Sequence, residues 1–361
     1  MKKLLSLMTA AAMALSLAAC GGSTSTATST ASSEAQSTAD ATAELTIEDV
    51  WPAGSTVYFD VPAKAGGGTD LYTRYLTQAL GELYPNVNFV VTNYDTTEVG
   101  REHAKNAEAN GLNLAVHHGG WFLEYFAGNS NVSPKDDLAT VGILNLGGPQ
   151  AIIAKPDAPY KNFKELGEYI AANPNEVVIG CTLGGASQAT IFSIVDSLGE
   201  GYTDMVNWVQ CGSEADKLTQ TASSSIDIAN CSIPNAQAYE ADGKLTILGT
   251  LGPSVATLEN MSELVGLELG DSFKTTKEQG LDVAWDSCYY VWAPAGTPEN
   301  VCRAINEAVC KAMDVQSFIE GNNAMATYIG AIDYDTVQST IDDEWKRMEQ
   351  LSTDMGLNIR G

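Results

Sequence analysis

The chain has 361 residues, with 45 acidic and 19 basic side chains and a formal net charge of −26 at pH 7. A chain this acidic, without a basic cluster, is a poor nucleic-acid binder, because phosphate contacts depend on lysine and arginine. Its length exceeds what one ordinary core supports and suits two domains. Its high charge is typical of a secreted protein that stays soluble.

The N-terminus carries a targeting signal. Lys2 and Lys3 precede residues 4–19, an almost unbroken apolar run that is shorter than the ~20 residues of a membrane span. The run ends in Leu-Ala-Ala before Cys20, which resembles a bacterial lipoprotein signal that is cut before a lipidated cysteine. The alternative is an ordinary signal peptide with a chance cysteine. We predict a signal peptide over residues 1–19 and lipidation of Cys20.

Residues 20–43 have the composition of a tether, because they are rich in Ser, Thr, Ala and Gly. A coil of about 23 residues has a mean reach of about 25–30 Å. We therefore expect an extracytoplasmic monomer, held by its lipid at the outer face of the bacterial cell membrane. Removal of the signal takes away two lysines and no acids, so the mature net charge is about −28.

From residue 55 onward the chain alternates strand-like and helix-like segments, which predicts an α/β fold. Predicted strands cover residues 55–61, 87–92, 112–118, 140–154 with a break at 147–149, 176–181, 205–209, 226–229, 245–250 and 288–293. Predicted helices cover residues 69–83, 97–110, 121–127, 163–173, 188–198, 298–313 and 335–355. Thr297 is the expected N-cap of the helix that ends near Met313, and Val337, Ile341, Trp345 and Met348 form an apolar stripe on the last helix.

Three consecutive glycines, Gly66, Gly67 and Gly68, lie between the first predicted strand and its helix. A phosphate loop needs a Gly-Lys-Ser/Thr end, and a dinucleotide fingerprint needs a third glycine where Leu71 stands, so neither nucleotide site fits. The glycines still let the backbone approach a ligand, and the N–H groups of a helix start accept a small anion. The alternative is a tight turn without a ligand, capped by Asp70.

A second strand, glycine loop and helix recurs at residues 177–198, with Gly184, Gly185 and Ser187 in its loop. Two helix starts that face one cleft would bind a charged group between their N–H groups. The pair is therefore a more specific signal of an anion site than either loop alone.

Two motifs resemble the solute receptors of the tripartite tricarboxylate transporter family (Bug-type receptors). Residues 61–71, VPAKAGGGTDL, with Arg74, look like the first strand and ligand loop of that family, and residues 290–298, YVWAPAGTP, look like its late hinge strand. Gly180, Gly185 and Ser187 match the second ligand loop, and Asp227 matches an acid in a later strand. The resemblance runs in order from about residue 55 to the C-terminus.

The resemblance implies a two-domain clamshell of the periplasmic-binding-protein type (type II), with mixed sheets flanked by helices and a ligand cleft between the domains. We assign residues 44–150 and 286–361 to domain 1, and residues 151–285 to domain 2. Family members bind carboxylates through loop amides and ordered water. The candidate ligand-binding residues are Ala63, Lys64, Ala65, Gly66, Gly67, Gly68, Thr69, Asp70, His117, His118, Gly119, Thr182, Gly185, Ala186, Ser187 and Asn230.

Departures from the family pattern bear on the ligand. Ala63 and Ala65 stand where an aromatic residue and a proline are usual, and Lys64 adds a charge between them. In the second loop, Cys181 and Leu183 replace the serine and glycine that are common there. The cleft is expected to be kept, but the identity of the ligand does not carry over.

The remaining candidates have plainer interpretations. His117 and His118 are neighbours on a strand and should point to opposite faces, so a metal site is not expected. The six cysteines besides Cys20 stand mainly in apolar contexts, as buried thiols do; Cys302 and Cys310 lie about 12 Å apart along one helix, too far to bridge, although one disulfide elsewhere stays open. Tyr289, Tyr290 and Trp292 are expected to be core residues, with at most one lining the cleft.

We predict a lipoprotein receptor that closes on a small organic carboxylate and delivers it to the membrane permease of a tripartite tricarboxylate-type transporter, without a cofactor and without catalysis. Two alternatives stay open. One is a receptor of another transporter class, for an amino acid or a phosphonate-like anion. The other is a surface-tethered hydrolase that uses Cys181 at its helix start, where thiolates are favoured.

Overall fold

The structure is a computed structural model that describes residues 44–211, 213–285 and 288–360. The predicted signal peptide, the lipidated Cys20 and the tether lie outside these residues. In the part of the chain that the structure describes, no helix combines the length and the apolar character needed to cross a membrane.

Eleven strands lie in the described residues. They are β1 (Thr56–Val61), β2 (Asn88–Asn93), β3 (Asn113–His118), β4 (Leu138–Leu146), β5 (Gln150–Ala154), β6 (Val178–Cys181), β7 (Asn207–Gln210), β8 (Ile228–Ser232), β9 (Thr246–Leu251), β10 (Cys288–Pro294) and β11 (Tyr328–Ile329).

Twelve α-helices alternate with these strands in the same residues. They are α1 (Ile47–Val50), α2 (Gly68–Leu83), α3 (Thr97–Asn106), α4 (Gly120–Phe126), α5 (Phe163–Ala172), α6 (Ala186–Leu198), α7 (Glu214–Ala222), α8 (Ile233–Ala241), α9 (Leu258–Val265), α10 (Glu299–Met313), α11 (Gln316–Ala324) and α12 (Tyr334–Asp354).

The strands form two mixed sheets, which confirms the predicted α/β class. The first has the order β11-β4-β10-β3-β1-β2, in which β1 is parallel to β2 and β3 while β10 is antiparallel to β3 and β4. The second has the order β7-β6-β8-β5-β9, in which β6 is parallel to β7 and β8. The chain leaves the first sheet after β4 and returns to its centre with β10.

Helices cover both faces of each sheet, because each helix has one apolar face to bury. Leu76 of α2 and Ile305 of α10 pack with Val57 of β1 on one face of the first sheet. On the other face, the predicted stripe of α12 is confirmed: Val337, Ile341 and Met348 are buried, and Trp345 packs against the same core.

Two local predictions at helix ends are wrong. The helix α10 begins at Glu299 with Pro298 as its N-cap residue, because the Thr297 hydroxyl donates instead to the Pro294 carbonyl oxygen at 2.8 Å. The helix α3 ends at Asn106 rather than near Asn110, because the backbone of the next residue is already extended.

Candidate functional site

The first glycine loop, residues 63–67, connects β1 to α2. Gly66 has φ +83°, a left-handed conformation that glycine adopts without strain. Its N–H donates to Oδ2 of Asp70 at 2.8 Å, so the loop closes onto the first turn of its own helix. Gly66 was a predicted ligand donor, but its N–H is already engaged.

Asp70 stabilises this loop from a buried position and is not available to a ligand. Its side chain is 4% exposed and pairs with Nε of Arg74 at 2.9 Å. Burial alone would raise the pKa of Asp70, but hydrogen bonds from Arg74 and from the Gly66 N–H outweigh that effect and lower it. Arg74 also donates to Asn93, whose side-chain amide donates to the Ala63 carbonyl oxygen at 3.2 Å.

The donors that the first loop leaves open come next in the chain. Within the described residues, the N–H groups of Gly67, Gly68 and Thr69 have no hydrogen-bond partner, as expected at a helix start. They carry the positive end of the α2 dipole. Lys64 and Ala65 are exposed at the rim of the same loop.

The second glycine loop, residues 182–185, connects β6 to α6, and more of its backbone N–H groups form hydrogen bonds. The N–H of Thr182 donates to Oγ of Ser187 at 2.8 Å, and the N–H of Gly184 donates to Oε1 of Gln188 at 2.7 Å. The N–H of Gly185 donates to the Thr182 carbonyl oxygen at 3.0 Å. These bonds fix the shape of the loop and use most of its donors.

What remains for a ligand at the second loop is the start of α6. In the part of the chain that the structure describes, the N–H groups of Ala186 and Ser187 have no partner. These two amides can therefore donate to a ligand, whereas the N–H groups of the predicted residues Thr182 and Gly185 are used in hydrogen bonds that fix the shape of the loop.

A third loop, residues 118–120, connects β3 to α4. Nδ1 of His118 accepts from the Gly120 N–H at 3.1 Å, so Nδ1 is unprotonated and the neutral ring carries its proton on Nε2. Burial lowers the pKa of His118, which favours this neutral donor. Gly119 begins the turn, with its N–H bound to the carbonyl oxygen of Cys288.

The two histidines do not point to opposite faces. Their ring centroids are 4.2 Å apart, because His118 is the last residue of β3 and the backbone turns immediately after it. His117 is 3% exposed and donates from Nδ1 to the His118 carbonyl oxygen at 3.1 Å. Burial, with the neighbouring His118 and Arg101, lowers the pKa of His117 far below its usual value.

Tyr289 connects the first loop to the third. A Cβ atom built on Gly68 would lie 2.8 Å from the Tyr289 hydroxyl, and the Tyr289 ring lies 6.0 Å from that of His118, its register partner on β3. Burial raises the pKa of Tyr289 to about 12, and the Thr69 side chain partly offsets this rise by hydrogen bonding. The sequence left open that one of these aromatic residues lines the cleft, but it did not indicate that Tyr289 holds this position.

The third loop in turn meets the second. A Cβ atom on Gly120 would lie 3.7 Å from Cβ of Ala186, and one on Gly184 would lie 3.4 Å from the side-chain amide of Asn129. A continuous series of close contacts therefore runs from Gly68 through Tyr289 and His118 to Ala186. These contacts link the three predicted loops to one another.

Asn230, the remaining candidate, lies on β8 and is 6% exposed. Its Oδ1 accepts from Nζ of Lys217 at 2.7 Å. Sequence reasoning did not single out Lys217, which is buried although it follows acidic residues on α7.

Cys181 does not have the properties of a nucleophile. Its side chain is fully buried, and burial raises its pKa to about 11, so the reactive thiolate is disfavoured. Within the described residues no disulfide joins any of the six cysteines, which include Cys302 and Cys310 on α10. Nowhere in the described ranges do three or more histidine, cysteine or acidic side chains form a group that could hold a metal ion.

Comparison with known proteins gives one family. The model of the tripartite tricarboxylate transporter family receptor matches residues 108–357. A UPF0065 protein of Bordetella pertussis is 28% identical over 187 residues, which are 51% of this chain and 53% of that protein, so the chain spans about half the length of this relative.

Two solved structures from Rhodopseudomonas palustris are similar throughout. MatC with bound malate has a TM-score of 0.61 and 19% identity, covering 82% of this chain and 98% of its own. A second protein with adipate has a TM-score of 0.64 and 20% identity, covering 85% and 98%. With other periplasmic binding proteins of similar fold, they confirm the predicted two-domain architecture.

Proposed function

Because the chain belongs to the tripartite tricarboxylate transporter family of receptors, we propose that it captures a small organic carboxylate in the cleft between its two domains. The family is one of receptors rather than enzymes, in keeping with the buried, protonated Cys181. The observation that carries the proposal is the meeting of two helix starts with unpaired N–H groups, at Gly68 and Ala186, across the loop of His118.

The chemistry of this cleft suits a carboxylate. The open N–H groups of the α2 and α6 starts supply several donors and two positive dipole ends, which together bind an anion without an arginine. His118 adds a neutral Nε2–H group. The solved structures with malate and adipate support a carboxylate as the ligand class.

Closure of the cleft would follow from ligand binding. Donors of the α2 start belong to the first sheet and donors of the α6 start to the second, so one ligand reaches both only when the domains are shut. Domains bounded as 44–150 with 286–361, and 151–285, would move about the chain crossings near Pro149 and Trp285. The closed receptor would then dock on a membrane permease and release the ligand.

The proposed setting is extracytoplasmic. Lipidation of Cys20 and a tether to residue 43 would keep the receptor, as a monomer, within about 25–30 Å of the membrane that holds its permease. A Cys20→Ser variant should lose incorporation of radiolabelled palmitate in a bacterial host and move from the membrane to the soluble fraction. Retention of label would place the lipid elsewhere.

The ligand class is tested by thermal shift with carboxylates, amino acids and phosphonates. We expect carboxylates alone to stabilise the protein, and Gly67→Val to weaken their binding at least about tenfold, since a side chain there covers the open N–H groups. Gly270→Val is a matched control, because Gly270 has almost the same backbone angles at an exposed helix start away from the loops. Stabilisation by amino acids or phosphonates alone would favour a receptor of another transporter class.

A further inference from the structure

Lys217 is a buried cation without an acidic partner. Its side chain is 7% exposed, and its Nζ has one hydrogen bond, to Oδ1 of Asn230. Within the described residues, the basic side chains with no carboxylate oxygen within 4.0 Å are Lys64, Lys161, Lys217, Lys277 and Arg360, and all of these except Lys217 are exposed.

The described groups around Lys217 form no ion pair with it, although the Glu214 carboxylate favours the ammonium at longer range. Glu214, one turn earlier on α7, uses its Oε1 on the Ser232 backbone N–H, the Ser232 hydroxyl and the Asn235 amide, and lies beyond ion-pair distance. Burial raises the pKa of Cys181 to about 11 and that of Cys231 to about 12, and it also raises the pKa of Cys211, so these neighbouring thiols stay protonated.

An uncompensated ammonium is costly to bury. Desolvation lowers the pKa of Lys217, and an ion held away from water persists only with a partner of opposite charge or at a large cost in stability. A chain with 45 acidic residues places none of them on this lysine within the described ranges. The missing partner is therefore to be sought outside the described residues, and a bound anion would supply it.

Lys217 lies at the edge of the second sheet from which the ligand loop leaves. Ile179 pairs with Ile228, so the parallel register sets Cys181, the last residue of β6, beside Asn230, two residues before the end of β8. The second glycine loop begins directly after Cys181. Ligands of open α/β sheets bind outside the carboxyl ends of the strands, which is where Asn230 holds the Lys217 ammonium.

We propose that Lys217 is the counter-ion of a second carboxylate, so that the receptor selects dicarboxylates over monocarboxylates of equal length. The inference rests on the proposed function, because one carboxylate is held by the α2 and α6 starts while the other reaches Lys217. Asn230 orients the ammonium through its Oδ1. The second carboxylate completes the pairing of the buried charge as the cleft closes.

Calorimetry with matched ligand pairs tests this role. Succinate is compared with butyrate, and adipate with hexanoate, in wild type, Lys217→Gln and Lys277→Gln. Glutamine removes the charge and keeps an N–H donor on a side chain one bond shorter. Lys277 is an exposed lysine of the same half of the chain, and within the described residues it also lacks an acidic partner. We expect Lys217→Gln to weaken dicarboxylate binding about 10–100-fold and monocarboxylate binding less than about threefold, with no change in Lys277→Gln.

Each outcome decides the matter. A wild type that binds dicarboxylates, with the same preference in Lys217→Gln, overturns the role of Lys217 and leaves the proposed function standing. A wild type that prefers monocarboxylates also overturns the role of Lys217 and leaves the proposed function standing. A wild type that binds no carboxylate overturns the role of Lys217 and the proposed function together. If Lys217→Gln does not fold, Lys217→Met replaces it. If neither variant folds, the wild type itself decides. Pairing with a carboxylate restores the lowered pKa of Lys217, so dicarboxylates should bind with proton uptake at alkaline pH, and equal uptake with monocarboxylates overturns the role.

Discussion

The contact between Gly68 and Tyr289 gives a stringent test of the cleft. A Cβ atom on Gly68 would lie 2.8 Å from the Tyr289 hydroxyl oxygen but 3.7 Å from the ring carbon that bears it. The Gly68→Ala variant must therefore displace the hydroxyl or the start of α2. Gly81, on the same helix, has no atom within 4 Å of its Cβ position, so Gly81→Ala is a control without a clash.

The two alanine variants should change the free energy of unfolding in opposite directions. Overpacking costs about 1–3 kcal/mol, while a helical Gly→Ala change gains about 0.5–1 kcal/mol. The net free energy of unfolding should fall by about 0.5–2 kcal/mol in Gly68→Ala and rise by about 0.5–1 kcal/mol in Gly81→Ala. At about 2 °C per kcal/mol for a chain of this size, Tm should fall by about 1–4 °C in the first variant.

Removal of the hydroxyl should relieve the clash. In Gly68→Ala with Tyr289→Phe, the nearest ring atom is at an ordinary contact distance, so the double variant should be no less stable than Tyr289→Phe alone. The coupling energy from urea unfolding of the four proteins should be at least about 1 kcal/mol. Additivity within about 0.5 kcal/mol would refute the contact, and with it the continuity of the first and third loops.

Two further predictions concern buried titratable groups. The pKa of His117 is far below that of a histidine in the unfolded chain, so the unfolded state binds more protons below about pH 6.5. For each unit by which the pH falls below that value, His117 should lower the free energy of unfolding by up to about 1.4 kcal/mol. Urea unfolding at pH 7 and 5 should show a smaller drop in His117→Phe than in wild type, and an equal drop would contradict the buried neutral ring. For the cysteines, an aromatic disulfide reagent should react with all six thiols besides Cys20 only after denaturation. In the folded protein Cys310 should react first, because it alone of the six is partly exposed. Fewer than six after denaturation would reveal a disulfide.

The elements and loops that the sequence predicted correctly depend on local chemistry. Glycine is needed at the left-handed positions Gly66 and Gly184, and apolar periodicity marks α12. Such signals lie within a few residues of each other, so they can be read without the tertiary structure. The Thr297 error has the opposite origin. Its hydroxyl could accept from the N–H groups of the helix start or donate to the Pro294 carbonyl oxygen, and the turn at Pro294 favours the second.

Tyr289 and Lys217 were missed because neighbours distant in the chain decide their roles. Tyr289 and Tyr290 are adjacent in an apolar run, and the antiparallel register with β3 sets Tyr289 beside His118 while Tyr290 is fully buried. Lys217 follows acidic residues, a pattern typical of a solvated helix. Its burial comes from the packing of α7 on β8, 13 residues later, which no local pattern indicates.

The acidity of the chain does not prevent anion binding, because the acids next to the loops are engaged. Asp70 is held by Arg74 and the Gly66 N–H, and Glu214 by Ser232 and Asn235. More distant charges are screened beyond about 8–10 Å at physiological ionic strength. A ligand in the cleft therefore senses the α2 and α6 dipoles and the Lys217 ammonium more strongly than the net charge. The buried lysine is the element that would distinguish two carboxylates from one, since helix starts alone bind any small anion.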